Sequence, residues 1–442
     1  MLAGLDIATW SALIVFGIAG LLVLGVPLAF STGAIAVALC LVVYGPMSLF
    51  LVASRSIEFL DSYVLVAVPF FILMASLMER SGIAKDLYTA LNVWAGRMPG
   101  GLAVVTVFVG VILASTVGVI GGEIVLLGLV ALPQLLRLGY DRKLAIGTIC
   151  ASGSLGTMIP PSIILVFFGI TAGASVGDLF LASLMPGLLL AGLYVAYIVA
   201  RCARDPALGP PPPAQELAMP LSEKLALLKG VALPIAIAFV VLGSIYLGLA
   251  SVTESAAIGV AGVALAIWIR GDMTVDLVRH AALQTLSTCG VVLWLVLGTN
   301  ALIGVYNLMG GIDFARSLLT DLPFPPIVVI MIMLGVWILL GFFLDWIGIM
   351  LLTMPIFVPA AEALGYDRIW LGILFNIAMQ IAYLTPPFAP AAFYLKGVAP
   401  KDIALDEIFA AMWPFIALQV VGLALVVTFP QIALWLPAWV NP

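Results

Sequence analysis

Residues 152–162 read Ser-Gly-Ser-Leu-Gly-Thr-Met-Ile-Pro-Pro-Ser, and residues 383–390 read Tyr-Leu-Thr-Pro-Pro-Phe-Ala-Pro. Each stretch sits inside a long apolar run, at about 143–172 and 368–395. Two adjacent prolines remove two backbone donors and clash with the preceding turn. Both runs must therefore break as helices at Pro160-Pro161 and Pro386-Pro387, which frees backbone carbonyls in apolar surroundings. The pairs lie 226 residues apart, and other markers keep that spacing. Gly139-Tyr140-Asp141-Arg142 recurs as Gly365-Tyr366-Asp367-Arg368, and Pro133 recurs as Pro359. Residues 178–186 (DLFLASLMP) resemble residues 406–414 (DEIFAAMWP) at an offset of 228. One such match is coincidence; a chain of them at one spacing is a repeat.

The composition says where this repeat resides. Of 442 residues 64% are hydrophobic and 9% charged, with a mean hydropathy of +1.27. Roughly 25% charged residues is usual for a soluble domain, so a soluble globule is excluded, and a disordered chain is excluded by the opposite argument. Net charge −5 and a pI near 4.9 argue against nucleic acid as a partner. Four scattered cysteines (Cys40, Cys150, Cys202, Cys289) and one histidine, His280, give no Cys/His metal spacing. No HExxH, GxSxG or paired-aspartate arrangement occupies an apolar segment, so an intramembrane enzyme is poorly supported. The first apolar run has no preceding Lys or Arg and reads as a retained helix rather than a signal peptide. A polytopic, all-α membrane protein remains.

A crossing helix needs about 20 apolar residues. Candidates lie at about 8–26, 28–45, 63–79, 143–172, 176–200, 225–247, 253–270, 286–309, 368–395 and 404–438. Two further runs, about 100–136 and 324–363, are too long for one crossing and are interrupted near Ala114–Glu123 and Gly341–Gly348. Each is expected to be a re-entrant hairpin, whose exposed backbone is tolerable only against protein or a watery cavity. With both hairpins returning to their own side, fourteen Lys and Arg fall on one side: Arg80, Lys85, Arg97, Arg137, Arg142, Lys143, Arg201, Arg204, Lys224, Lys229, Arg270, Arg279, Lys396 and Lys401. Only Arg55, Arg316 and Arg368 fall on the other. The positive-inside rule makes the first side cytoplasmic and puts both termini outside. Five crossings then separate the two Gly-Tyr-Asp-Arg copies, so the repeats are inverted, which is the architecture of secondary transporters. The expected segments are N-terminal scaffold helices at 1–62, a first inverted repeat at 63–200, a cytoplasmic linker at 201–224 rich in proline (Pro210 to Pro213), scaffold helices with an arm at 225–285, and a second inverted repeat at 286–442. Two amphipathic stretches, about 81–95 and 273–285, are expected to be paired arms.

The breaks and tips gather the candidate site residues. A hard cation such as sodium takes about six oxygen ligands. Candidate ligands are Ser115, Thr116 and Gly118 at the first tip, Ser152, Gly153 and Ser154 before the first break, Gly341 and Asp345 at the second tip, and Thr385 at the second break. Gly121, Gly122, Glu123, Thr157, Pro160, Pro161, Pro386 and Pro387 are the expected substrate-contacting set. Two roles stand side by side for many of these. Hydroxyls in membrane helices also bond back to local carbonyls, and Asp345 or Glu123 at a helix start also serves as a cap. An ionisable group at membrane depth favours function: Asp345 as cation ligand or counter-charge, Glu123 as the same or as a proton carrier. Glu254, in Ser251-Val252-Thr253-Glu254, reads as a structural cap.

These residues resemble the large, DctM-like membrane subunit of TRAP (tripartite ATP-independent periplasmic) transporters over essentially the whole chain. The resemblance rests on Pro99-Gly100-Gly101, Pro133 with Gly139-Tyr140, SLGTMIPPS at 154–162, SVTE at 251–254, the Asp345 tip, Pro359 with Gly365-Tyr366, and Leu384-Thr385-Pro386-Pro387. It implies an elevator-type fold of the ion-transporter kind in a bacterial inner membrane, with sodium-driven uptake of a small organic acid. It also implies a small four-helix membrane subunit and a periplasmic substrate-binding protein as partners. A proton-coupled carrier of similar fold is the alternative. One departure stands out. Family members commonly carry a Ser-Gly-Ser-Ser-type first tip, where this chain has Val117-Gly118-Val119-Ile120. The first cation site then relies on backbone carbonyls or on Ser115 and Thr116, with Glu123 just beyond. The tip is more similar to the branch that handles mannitol, chloroaromatic and 2-oxo acid substrates.

Overall fold

A computed structural model describes residues 5–94, 98–118, 121–212, 220–227 and 229–441. Arg97, Val119, Ile120 and most of the proline-rich linker from Pro213 onward lie outside these residues. Every regular element among the described residues is helical. In the first half these are α1 (Ile7–Val23), α2 (Leu28–Leu39), α3 (Leu49–Leu60), α4 (Ala67–Arg80), α5 (Ile83–Asn92), α6 (Gly101–Val117), α7 (Gly122–Arg137), α8 (Arg142–Ser154), α9 (Ile163–Ala172) and α10 (Val176–Arg204). After the linker come α11 (Leu221–Leu227), α12 (Lys229–Tyr246), α13 (Val252–Arg270), α14 (Val275–Leu308), α15 (Gly311–Thr320), α16 (Pro326–Leu340), α17 (Trp346–Ala363), α18 (Arg368–Leu384), α19 (Pro390–Val398), α20 (Leu405–Thr428) and α21 (Gln431–Val440). Among the described residues six helices are long and apolar enough to cross a membrane, including α10, α13, α14 and α20.

The repeated Gly-Tyr-Asp-Arg is a stop-and-start device. Gly139 and Gly365 adopt φ of 82° and 86°, which only glycine takes without penalty. They close α7 and α17 with matching bonds: Tyr140 N–H to the Leu135 carbonyl at 3.0 Å and Tyr366 N–H to the Ala361 carbonyl at 2.9 Å. The aspartate then caps the next helix. Asp141 accepts from Leu144 N–H at 2.9 Å, and Asp367 accepts from Ile369 N–H at 2.6 Å and Trp370 N–H at 3.2 Å. The arginine reaches into the opposite repeat. Arg142, opening α8, pairs with Asp402 and Glu407 at 3.0 Å each, where α20 begins. Arg368, opening α18, donates to the Gly173 carbonyl at 3.1 Å, just past α9. Each broken helix therefore starts where the other ends, as an inverted pair requires.

The helices exchange partners across the repeats. In the first hairpin α7 packs on α8 and on α19; in the second, α17 packs on α18 and on α9. Outside this cluster α2 packs on α14 and α4 on α13 and α14. The α2–α14 contact is a small-residue seam: an added Cβ at Gly298 would overlap the Ala29 carbonyl and come within 2.7 Å of the Thr32 hydroxyl. Close backbone approach of this kind is how membrane helices associate without a hydrophobic driving force.

Three expectations change. Residues 273–285 are not a separate arm but the start of the unbroken 34-residue α14, so the expected boundary at 285/286 falls inside one helix. Nothing there stops it: no Gly or Pro interrupts residues 275–289. The counterpart of α5 is α15, since each follows a left-handed glycine, Gly82 or Gly310, and precedes a hairpin. The expected crossing at 404–438 is two helices, α20 and α21, because Pro430 cannot continue α20. The Glu254 cap is present: Ser251 and Glu254 form a reciprocal box at 3.3 and 2.7 Å.

Candidate functional site

Both hairpins turn at the depth of the breaks. Helices α6 and α7 meet around Gly118 and Gly121, and α16 and α17 meet at Gly341–Asp345. The first tip docks on the first break: Ile163 N–H donates to the Gly118 carbonyl at 3.3 Å, and a Cβ on Gly118 would overlap the Pro161 carbonyl. The second tip leans on α18, where a Cβ on Gly341 would overlap the Ala382 side chain. The peptide bond between the paired prolines is cis in both copies.

A cavity of about 430 Å³ lies between these parts. Gly118 and Asp345 from the tips, Thr157 and Phe388 from the breaks, and Ser287 and Thr288 from α14 face it, together with the rings of Trp346, Tyr383 and Tyr394. A second cavity of about 320 Å³ shares Ile72, Thr288 and Tyr394 with the first and extends past Gly121 and Gly122 to Glu79 and Gln284. These last residues lie near the end of α4 that carries Arg80, the end rich in Lys and Arg. No Lys, Arg or His is among the described residues lining either cavity.

Of the expected residues, the central cavity thus brings together Gly118, Thr157 and Asp345, and the adjoining one Gly121 and Gly122. Asp345 has both of its anticipated features: its carboxylate accepts from Ile347 N–H at 3.2 Å, and it faces the cavity. Ser152, Gly153 and Ser154 are buried in packing instead. The Ser152 hydroxyl donates to the Thr148 carbonyl at 2.6 Å and Ser154 to Ala151 at 2.8 Å, while Gly153 makes room for Ile124. Ser115 donates to the Ile112 carbonyl and Thr385 to the Ile381 carbonyl, each at 2.6 Å. Their oxygens keep lone pairs, but the local bonds already explain why they are tolerated. The Thr116 side chain lies outside the described set. Pro160 and Pro161 are buried, whereas Pro387 and Phe388 are exposed beside the cavity mouth.

Three residues went unnoticed in the sequence. Asn376 and Gln380 of α18 and Gln419 of α20 are fully buried amides that clamp the first break. Asn376 donates to the Thr157 carbonyl at 2.8 Å, Gln380 to the Thr157 hydroxyl at 3.4 Å and Gln419 to the Ser154 hydroxyl at 3.2 Å. Proline 161 removes the N–H that would have satisfied the Thr157 carbonyl, and an amide from the other repeat replaces it.

Two carboxylates lie in or beside this site. Asp345 is one, with a carboxylate on the cavity wall. Glu123 is the other: it is 1% exposed, and neither carboxylate oxygen has a hydrogen-bond partner among the described residues. No cluster of three or more Asp, Glu, His or Cys that could hold a metal ion occurs among the described residues.

The model of the family described as tripartite ATP-independent periplasmic transporter, DctM component, matches residues 15–432. The C4-dicarboxylate TRAP transporter large permease protein of Pseudomonas aeruginosa is 30% identical, covering 91% of this chain and 93% of that protein. The sialic acid TRAP transporter large permease protein of Vibrio cholerae is 27% identical, covering 96% and 97%. Among solved structures, the YdaH transporter of Alcanivorax borkumensis aligns with a TM-score of 0.65 at 16% identity, covering 91% of each chain, a likeness of fold alone.

Proposed function

The chain belongs to the DctM-component family of tripartite ATP-independent periplasmic transporters, and from that membership we propose that it moves a small organic acid across the membrane as a sodium-coupled, elevator-type carrier. Its proposed partners are a small four-helix membrane subunit and a periplasmic binding protein. A carboxylate substrate is the proposal, as the C4-dicarboxylate and sialic acid relatives suggest; a 2-oxo acid fits the same chemistry. The observation that carries the reading is the 430 Å³ cavity walled by both tips, both breaks and α14. Two inverted halves that meet at one site supply two states of similar energy, one open to each side.

Electrostatics supports coupling to a cation. The described cavity wall holds one carboxylate, Asp345, and no cationic side chain. A carboxylate substrate entering it would face Asp345 at low dielectric, where like charges at about 4 Å repel by about 4 kcal/mol even at an effective dielectric of 20. Bound sodium supplies the missing positive charge. The chain's own groups do the rest: Ser287 and Thr288 hydroxyls offer donors, the N-terminal end of α9 at Ile163 and Ile164 lines the cavity, where a helix start favours an anion, and the aromatic rings exclude water. In the elevator reading the clustered hairpins and broken helices move against α2, α4, α13 and α14.

The test is uptake of succinate and of pyruvate into proteoliposomes holding the chain, the small subunit and the binding protein. Uptake of one acid should rise at least tenfold under an inward sodium gradient. Uptake indifferent to that gradient would remove sodium coupling.

A further inference from the structure

Two carboxylates meet beneath the first tip, and among the described residues no cationic side chain acts on the deeper one, Glu123. Glu123 is the second residue of α7 and lies flush on the first break, where a Cβ on Gly156 would overlap its carboxylate. Glu79 approaches from α4. Its carboxylate lies 2.9 Å from where a Cβ on Gly122 would stand, and it is the charge acting on Glu123. The two carboxylates thus share the N-terminus of α7 but sit on different elements, Glu123 on the first hairpin and Glu79 on α4, which packs on α13 and α14 as well as on α6.

Of the neighbouring charges, Arg80 on α4 attracts Glu79 from a distance and donates to Gln284 at 3.4 Å, and Gln284 also bonds Glu79; the others are engaged elsewhere. On α5, Asp86 holds Arg270 at 2.6 Å, Lys85 is exposed, and Tyr88 lies beside Thr106. On α8, Arg142 is paired with Asp402 and Glu407, Lys143 stands next to it, and Cys150 faces the Ala391 carbonyl. On α19, Lys396 donates to the Ile403 carbonyl and Tyr394 lies against Gly121.

A helix N-terminus supplies about +0.5 of a charge. Two ionised carboxylates there outweigh it by about 1.5 charges; Arg80 offsets part of this at Glu79, and no positive side chain among the described residues acts on Glu123 at membrane depth, where one added positive charge would. We propose that Glu79 and Glu123 jointly hold one monovalent positive charge, a sodium ion or a proton, across the contact between the first hairpin and α4. This deepens the reading of the chain as a cation-coupled carrier and rests on it for its consequence. Sliding the hairpin along α4 parts the two carboxylates and weakens the hold on the charge. The cavity that reaches Glu79 gives that charge an exit.

Thermal unfolding of the full chain in lipid nanodiscs tests this. Sodium chloride is titrated against choline chloride at pH 8, and pH is varied in choline chloride. The wild-type midpoint should rise by several degrees with sodium, if sodium is held, or on acidification, if a proton is held. Glu123→Gln and Glu79→Gln should each lose at least half of that rise, and Glu123→Gln should unfold at a higher temperature than wild type in choline at pH 8. If either variant fails to fold, the other decides. Variants that keep the full wild-type response overturn the proposal, as does a wild type that responds to neither. Wild-type uptake in proteoliposomes separates this from the carrier reading: sodium-driven uptake alongside unaltered variants leaves the carrier standing without the pair.

Discussion

At the residue scale, one side chain can serve structure and ligand at once, and substitution separates the two roles. Asp345 caps α17 while facing the cavity. Asparagine caps a helix as well as aspartate but brings no charge. Asp345→Asn should therefore fold normally yet raise the sodium concentration for half-maximal uptake at least tenfold, whereas Asp345→Ala should also lose about 1 kcal/mol of stability. An Asp345→Asn protein with wild-type sodium dependence in the proteoliposome assay would confine the residue to capping. The tip glycine gives a second contrast. Gly118→Ala must push the first tip off the Pro161 carbonyl and should abolish most uptake, while Ser115→Ala should stay within about twofold of wild type, because that hydroxyl is spent on the Ile112 carbonyl. Parallel uptake and binding measurements on the two variants check both.

At the element scale, a helix's ends are written more plainly than its partners. Proline pairs and the Gly-Tyr-Asp-Arg device act within a few residues, so the breaks, the hairpins and their inverted relation were readable from sequence. Removing either glycine tests the device: Gly139→Ala or Gly365→Ala should cost about 1–2 kcal/mol, seen as a midpoint lowered by a few degrees in nanodiscs. Less was legible where elements meet. The amphipathic pattern at 273–285 carried no mark that it continued into α14, and the pairing of α5 with α15 depended on glycine conformations that sequence does not display. The clamp on the first break escaped for another reason. Attention to formal charge passes over Asn376, Gln380 and Gln419, although an amide inside an apolar run is itself a signal, since burying one without a partner is costly. Asn376→Leu should strand the Thr157 carbonyl, cost about 1–3 kcal/mol and reduce uptake.

At the scale of the whole molecule, the two neighbouring cavities, which share Ile72, Thr288 and Tyr394, lie in series from the tips toward the end rich in Lys and Arg. Thr288, shared by both, reports on them. Of the native cysteines Cys40, Cys150 and Cys202 are buried, so a Thr288→Cys, Cys289→Ser protein offers one reactive thiol at this point. A membrane-impermeant maleimide applied from the basic end should label it at least tenfold faster than from the opposite face, and equal rates would place the opening elsewhere. The seam between α2 and α14 carries a different implication, for synthesis. Its two sides, Ala29 and Gly298, lie 269 residues apart in the chain. At about 5–20 residues per second a ribosome needs roughly 13–54 s to cover that interval. Throughout it α2 stands in the bilayer with Ala29 and Thr32 facing lipid where Gly298 will later sit. The first half of this protein is thus made incomplete and waits in the membrane for the second to close it, a window in which quality control can act on the nascent chain.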